Sequence, residues 1–353
     1  MKFLLLLCPN NAASSPKIEK QFTRLDAGVA AMRRAQANVK RYKAAVLKAA
    51  CEGRLVPQDP NDEPASSLLE RILAERRKKW EADLRAKGKD PSKAKYVEPA
   101  PPDTDGLPEL PEGWCWAAVE QIGDTGEQTV LTGLFGSNLG REDFVDSGVP
   151  VLTIGCLTEQ GLSLEKAFFV SQSKASELER YRVKASDLLF SRMASVGRAD
   201  LVTSKFEGAI INYHLMRLRL SDTAINPIYF ISYVRGSRTV FNYIKEVNHG
   251  ATRDGINTSQ LLGLPVALPP LTEQRRIVAE VERRLSVVQQ VEAVIAANLA
   301  RAERLRQSIL KRAFEGRLVP QDPNDEPASV LLEQIRAKRE AGMPEPNRTV
   351  QRR

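Results

Sequence analysis

The stretch EGRLVPQDPNDEPAS at Glu52–Ser66 recurs without a change at Glu315–Ser329. The likeness extends outward on both sides, where VLKAACEGRL matches ILKRAFEGRL and SLLERILAERR matches VLLEQIRAKRE. The two copies lie 263 residues apart (315 minus 52), whereas solenoid repeats have periods of about 20 to 50 residues. The sequence therefore predicts two equivalent helical regions that enclose a different domain.

A long helix precedes each copy, because apolar residues recur there at spacings of three and four. A stripe this narrow needs a partner helix, and the simplest partner is the other copy. Two unrelated surface helices are the alternative, and the spacing leaves the orientation of a pair open. The predicted seam consists of Ile18, Leu25, Gly28, Met32, Val39, Tyr42 and Val46 in the first copy and Val281, Val288, Val291, Ile295, Ala302, Leu305 and Ile309 in the second.

Each long helix is expected to stop at a glycine, Gly53 or Gly316, and a second helix follows the Pro- and Asp-rich turn. Between the copies, a segment rich in Pro, Lys and Glu is typical of a linker, and short apolar runs bounded by Gly, Asp and Ser then indicate mixed strands and helices. The predicted fold is α+β, with one mixed α/β domain flanked by two long coiled-coil-forming helices. The predicted segments are an atypical N-terminal segment (1–17), a first helical region (18–89), a linker (90–106), a central domain (107–271), a second helical region (272–341) and a disordered tail (342–353).

Within the central domain, VPVLTIG and DLLFSR are predicted strands. GAIINYHLMRLRL is predicted as one further strand, with His214 among apolar residues on one face and Arg217 on the other. A core role for His214 is favoured over a base contact. INPIYFISYVRG is expected to begin a helix that Asn226 caps and in which Pro227 occupies the first turn.

The composition favours a polyanionic partner and gives no sign of a catalytic centre. Lys and Arg outnumber Asp and Glu by 52 to 44, which gives a net charge of +8 and a pI near 9.3. Metalloprotease, Walker-type and nucleophile-elbow motifs are missing from the sequence, so we expect a non-catalytic protein without cofactor or metal. Asn226–Tyr229 reads NPIY, which lacks one proline of the amino-methyltransferase pattern.

Two further features concern the compartment. The longest apolar runs fall short of the roughly 18 residues that cross a bilayer, so no membrane association is expected. Cys8, Cys51, Cys115 and Cys156 are widely spaced, which predicts reduced thiols and a cytoplasmic location rather than disulfides or a zinc site.

A series of short motifs occurs in a family-specific order: LPEGWCWAAVEQIG, VLTIG, DLLFSRMASVGRADLV, EGAIINYHLMRLR, INPIYFISYV and GATRDGINTSQLLGLPVALPPLTEQRRIV. In these motifs the chain resembles the DNA-specificity subunits of type I restriction-modification systems, over roughly residues 107–340. The resemblance implies double-stranded DNA, methyltransferase subunits and restriction subunits as partners. Members of that family typically carry two target-recognition domains, whereas this sequence shows one, so a homodimer is a further expectation.

Candidate DNA-binding residues lie on predicted loops of the central domain. Arg192, Ser195, Gly197 and Arg198 form one turn, which we expect to position the DNA backbone rather than read bases. The alternative for this turn, and for the loop HGATRDGINTS, is a structural turn whose side chains are solvated and do not contact DNA. The remaining candidates are Arg253 and Asn257 in HGATRDGINTS and, more weakly, Arg141 and Lys174.

The predicted function is to read one half of a bipartite DNA target and to dock methyltransferase subunits through the helices. Two alternatives remain open from the sequence. One is a truncated fragment that binds partner subunits without specifying DNA. The other is a stand-alone coiled-coil interaction protein.

Overall fold

The computed structural model describes residues 11–134, 139–158, 161–193, 197–248, 255–318, 320 and 327–341. Its helices are α1 (Asn11–Cys51), α2 (Ala65–Ala86), α3 (Val119–Ile122), α4 (Gln172–Glu177), α5 (Pro227–Gly236), α6 (Arg238–Asn248), α7 (Thr258–Leu262), α8 (Leu271–Phe314) and α9 (Ala328–Ala341). Its strands are β1 (Cys115–Ala118), β2 (Val130–Thr132), β3 (Phe144–Val145), β4 (Val149–Leu152), β5 (Leu157–Thr158), β6 (Gly161–Leu162), β7 (Phe168–Val170), β8 (Leu188–Ser191), β9 (Ala199–Leu201), β10 (Ile210–Ile211), β11 (Leu215–Leu218) and β12 (Pro265–Leu268).

The chain divides into two compact units. One unit combines Met1–Arg41 with Val288–Arg353, and the other is Tyr42–Val287. The predicted α+β class is confirmed, since strands occupy the centre of the chain and long helices lie towards both ends. None of the described helices combines the length and the apolar character that a membrane span requires.

In the first unit, α1 and α8 pair with each other. Ile18 of α1 packs in one apolar cluster with Ile309 and Leu318, and Asp26 forms an ion pair with Arg306. Asp26 follows Ile18 along α1, whereas Arg306 precedes Ile309 along α8, so the pairing is antiparallel. The expectation that the two copies are each other's partners is confirmed, and the orientation that the spacing left open is settled.

The seam follows one predicted row and departs from the other. The row at seven-residue steps is buried or half-buried along both helices: Ile18, Leu25, Met32, Val39 and Val46 in α1 and Val281, Val288, Ile295, Ala302 and Ile309 in α8. The second predicted row is exposed instead, at Gly28, Tyr42, Val291 and Leu305.

This second row was placed on the wrong side of the helix. The buried companions lie four residues after the first row, as Val29 and Leu299 do, rather than three. Steps of three and four residues both fit a period of 3.6, so the apolar spacing alone does not decide between the two sides.

The second unit contains the central sheets. Strands β2, β11, β8 and β9 form one four-stranded sheet, and β10, β4, β7 and β3 form another. The two ends of the domain meet where β1 pairs antiparallel with β12, from Cys115 opposite Leu268 to Ala118 opposite Pro265. The main core packs on the first of these sheets and on the β1–β12 pair, and it is rich in aromatic side chains such as Phe190, Phe230 and Tyr229.

Local expectations for this unit are confirmed with one exception. VPVLTIG contains β4, DLLFSR contains β8, and Asn226 Oδ1 caps α5 by accepting hydrogen bonds from the amides of Ile228 and Tyr229 at 2.9 and 3.4 Å. The single strand expected for GAIINYHLMRLRL is wrong, because the segment forms β10 and β11 in two different sheets. Asn212 Oδ1 accepts a hydrogen bond from the His214 amide at 3.2 Å, a contact that favours a turn over a continuous strand.

The first repeat copy is attached to the central domain. The Ala65 amide donates to the Gly113 carbonyl at 2.8 Å, and Asp62 accepts hydrogen bonds of 2.5 Å from both Thr272 Oγ1 and Arg276 Nη2. These contacts fix the turn and the start of α2 beside the start of α8. Among the described cysteines, Cys51, Cys115 and Cys156, there is no disulfide.

Candidate nucleic-acid interface

The first predicted DNA-binding turn connects two antiparallel strands. β8 and β9 pair from Leu188 opposite Leu201 to Phe190 opposite Ala199, and the Ser191 amide donates to the Arg198 carbonyl at 2.8 Å. Gly197 has a φ of +82°, and a Cβ there would lie 2.6 Å from Ile244 Cδ1. The turn thus needs glycine at this position for both conformation and space. Ser195 lies outside the described residues.

The second predicted loop lies directly against the first. Met193 and Gly255 form an isolated antiparallel bridge, and the Ile256 amide donates to the Arg192 carbonyl at 3.0 Å. The fold thus joins two loops that are about 60 residues apart in sequence. Arg253 lies outside the described residues.

Asn257 caps the helix that follows this loop. Its Oδ1 accepts a hydrogen bond from the Gln260 amide at 2.9 Å, and its own amide donates to Gln260 Oε1 at 2.8 Å. This reciprocal pair caps α7. The side-chain oxygen is therefore used for helix capping, while the side chain as a whole remains exposed.

The arginines of the first turn differ in their surroundings. Arg198 is exposed, and its Nη1 donates to the Leu157 carbonyl at 2.9 Å, which directs the side chain towards β5. Arg192 is half-buried, and its amide donates to the His214 carbonyl at 2.9 Å. The turn between β10 and β11 therefore also borders this surface.

Two residues that sequence reasoning did not assign to the interface lie in that third turn. Tyr213 and His214 are half-buried, and their rings lie 3.9 Å apart. Burial, and secondarily the charge of Arg192, lowers the pKa of His214, so the imidazole is neutral at physiological pH. The core position expected for His214 depended on the continuous strand, which the structure replaces with a turn. The signal that the sequence offered for these residues was the Tyr213-His214 dipeptide, two adjacent aromatic residues.

The weaker candidates, Arg141 and Lys174, belong to the other four-stranded sheet. Arg141 is exposed on a short 3-10 turn ahead of β3. Lys174 Nζ lies 3.3 Å from Glu177 Oε2 and 3.4 Å from Asp143 Oδ1, and these carboxylates raise its pKa. Its charge is thus already balanced within the protein, which weakens the case for a phosphate contact.

A partly buried ion-pair network was not anticipated from the sequence. Arg219 binds Asp187 through two hydrogen bonds of 2.6 Å, and the Asp187 side chain is 2% exposed. Glu127 also pairs with Arg219 and accepts a 2.6 Å hydrogen bond from Lys184, which keeps the pKa of Glu127 below its usual range. The network lines a cleft of about 600 Å³. Because the cations and carboxylates are paired with each other, its main effect is to fix β8 to β11 and to the segment ahead of β2.

No group of three or more His, Cys, Asp or Glu residues in the described part of the chain has a metal-binding arrangement. The surface formed by the three loops offers cationic, aromatic and amide groups instead. Such groups bind phosphates and base edges through hydrogen bonds and stacking.

The central domain is similar to a known protein domain. Residues 137–287 match the family model described as type I restriction modification DNA specificity domain, which covers most of the central sheets and all three loops. The EcoAI specificity subunit of a type I restriction enzyme from Escherichia coli is 25% identical over 84% of this chain and 55% of its own length. The StySPI specificity subunit from Salmonella potsdam is 32% identical over 47% of this chain and 38% of its own.

Among solved structures, the HsdS subunit from Thermoanaerobacter tengcongensis has a TM-score of 0.47 and 17% identity, over 87% of this chain and 58% of that one. The chain spans about half the length of the curated relatives that match most of it. The resemblance found in the sequence is confirmed: residues 137–287 match the type I restriction modification DNA specificity domain, and the chain is similar to the specificity subunits of type I restriction enzymes.

Proposed function

We propose that the chain is a non-catalytic DNA-specificity subunit that acts in the cytoplasm and reads one half of a bipartite target. The observation that carries the proposal is the convergence of three loops of the specificity domain, through the Met193–Gly255 bridge and the hydrogen bond from Arg192 to His214. In this arrangement Arg192 and Arg198 contact the DNA backbone, and Tyr213 and His214 lie where a base edge or a sugar is reached.

An exposed apolar row on α8 supplies the surface for partner subunits in this proposal. Val291, Val294 and Leu305 of α8 are 39%, 60% and 49% exposed, and large apolar side chains in such a row favour a protein partner. A methyltransferase subunit is the partner that the family relationship suggests, with restriction subunits joining for cleavage. If two chains form a homodimer, this exposed row is available for it, whereas Ile18 and Ile309 are already packed together within one chain.

The test is co-expression with a methyltransferase subunit encoded beside this gene, followed by mapping of methylated adenines. We expect methylation at an interrupted motif. A motif with two different halves indicates that a second specificity domain is supplied by another chain, and a palindromic motif indicates a homodimer. Methylation without a sequence motif would contradict the proposal and favour the truncated fragment.

A pair of variants tests the loops themselves. R192A/R198A removes two cations from the proposed interface, and R33A/R34A removes two exposed cations from α1 as the matched control. We expect the first variant to lose methylation at least tenfold, which corresponds to about 1.4 kcal/mol or more, while the control keeps wild-type activity. Equal activity of the two variants, at equal thermal stability, would show that the loops do not contact DNA.

A further inference from the structure

A basic segment follows the first repeat copy and has no counterpart in the second. The copies match up to Arg76 and Arg339, after which the first copy continues as RKKWEADLRAKGKDPSKAK, residues 77–95, and the second as EAGMPEPNRTVQRR. We call residues 77–95 the basic extension. It contains eight Lys and Arg against three Asp and Glu, a net charge of +5 from 19 residues in a chain whose total is +8.

The basic extension is folded and does not behave as a loose tail. α2 ends at Ala86, Gly88 takes a φ of +68°, and the Lys89 amide donates to the Leu84 carbonyl at 2.9 Å, so the chain reverses. Asp90 then accepts hydrogen bonds from the amide and hydroxyl of Ser92 at 3.0 and 2.8 Å.

Aromatic and ionic contacts hold the returning segment against α2. The ring of Tyr96 lies 5.1 Å from that of Trp80, and Arg77 lies 5.8 Å from the centre of the Tyr96 ring. Arg77 also pairs with Glu98 at 3.8 Å. The lysines of α2 and those of the segment that returns after Gly88 therefore lie on one folded unit.

Most lysines of this segment are exposed and form no ion pair among the described residues. Arg77 and Arg85 both pair with Glu81. In the part of the chain that the structure describes, no ion pair involves the exposed side chains of Lys78, Lys87, Lys89, Lys93 and Lys95. A helix C-terminus favours nearby cations, which accounts for Lys87 and Lys89 but not for Lys93 and Lys95 on the returning segment.

The basic extension is fixed to the specificity domain. Arg76 Nη2 donates to the Gly123 carbonyl at 2.6 Å, and Lys79 Nζ donates to Thr125 Oγ1 at 3.4 Å. These contacts lie just ahead of β2, on the same unit that carries the three loops. The lysines consequently have a defined position relative to the proposed reading surface.

We propose that the basic extension binds the phosphate backbone of duplex DNA outside the bases that the loops read. This inference rests on the proposed DNA-reading function and adds a second, sequence-independent contact to it. Lysines without partners neutralise phosphates and contribute affinity without selectivity. A protein partner fits less well, because lysine is depleted in protein interfaces and Val97, at 76% exposure, is the one large apolar side chain in or beside the segment with high exposure.

The test compares two variants of the full chain in complex with its methyltransferase subunit. K87Q/K89Q/K93Q/K95Q removes four charges from the basic extension, and K17Q/K20Q/K40Q/K43Q removes four exposed charges from α1. Binding to duplexes with and without the mapped target is measured between about 50 and 300 mM KCl. Over roughly this range of salt concentration, the affinity that phosphate contacts provide falls steeply.

We expect the first variant to bind both duplexes at least about tenfold more weakly than the wild type at about 100 mM salt. The fall of log K with log salt should also become less steep by about 3 to 4, which is about 0.9 for each lost contact. The ratio of target to non-target affinity stays as in the wild type, and the α1 control keeps the wild-type slope. Wild-type affinity and slope in the first variant would overturn this inference while leaving the proposed reading function intact.

Two other outcomes also overturn it. Loss of the methyltransferase subunit from the first variant, with unchanged DNA binding, would identify an acidic protein surface as the partner. Failure of the wild-type complex to bind any duplex at 50 mM salt would contradict both the inference and the proposed function.

Discussion

The two copies of EGRLVPQDPNDEPAS share every residue but continue into helices that are buried to different extents. The leucine of the turn is buried in both copies, with Leu55 at 8% and Leu318 at 9% exposure. The helices that follow differ: Ile72 of α2 is 3% exposed and packs in the main core, whereas its equivalent Ile335 of α9 is half-exposed, and Leu332 is 40% exposed. Both copies continue into a helix, and among the described residues only the helix of the first copy, α2, packs in the main core.

The largest expected effect of this difference is on stability at the matched isoleucines. Ile72→Ala removes a buried side chain, for which we expect a loss of about 2 to 4 kcal/mol in the free energy of unfolding. Ile335→Ala is the control and is expected to cost less than about 1 kcal/mol, because solvent already reaches that side chain. Urea unfolding followed by circular dichroism measures both, and equal losses would show that α9 is buried as deeply as α2.

A smaller difference is expected at the glycines that end the long helices. Gly53 and Gly316 have φ angles of +64° and +67°, so alanine costs about 1 kcal/mol at either position for conformation alone. At Gly53 a Cβ would also lie 2.5 Å from Pro111 Cγ, and we expect about 2 kcal/mol or more for Gly53→Ala. Thermal unfolding of the two variants provides the measurement. A smaller loss for Gly53→Ala than for Gly316→Ala would mean that Pro111 is not held against the turn.

The smallest effect expected depends on pH. The hydrogen bond from Arg276 holds the pKa of Asp62 below its ordinary value of 3.8, so the pair stabilises the fold above that value and the stabilisation is lost as the pH falls through the folded-state pKa. We expect Asp62→Asn to cost about 1 kcal/mol at pH 7, since Arg276 is partly exposed, and nothing in strong acid. A double-mutant cycle with Arg276→Gln, repeated across pH, isolates the coupling. Coupling that is independent of pH would exclude an ionic contribution.

Much of the fold was predictable because its signals are local. The start and end of α2 and α8, the Asn226 cap of α5 and the stop of α1 at Gly53 all depend on residues within one or two turns of each other. The departures arise where distant contacts decide. The second row of the seam was assigned to Val291 and Leu305 because spacing alone does not say which side of α8 meets α1. Likewise, β10 and β11 separate because their pairing partners lie in different sheets.

The candidate site was predictable in part. Arg192, Gly197, Arg198 and Asn257 were identified from loop composition, and their contact with DNA stays a prediction. The capping role of Asn257 and the pairing of Lys174 with carboxylates depend on neighbours that the sequence pattern did not reveal. Tyr213 and His214 were missed because the turn that exposes them interrupts a run of residues with strong strand character.

By itself, the sequence determined the duplication, the helical registers, the helix ends and the relationship to type I specificity subunits, since each depends on residue identities at short spacing or in a fixed order. The tertiary structure alone decided the antiparallel pairing of α1 with α8, the joining of three loops into one surface, and the deeper burial of Ile72 than of its equivalent Ile335. These depend on which distant residues come into contact, and Ile72 and Ile335, equivalent residues of the two copies with different burial, show that local sequence does not carry that information.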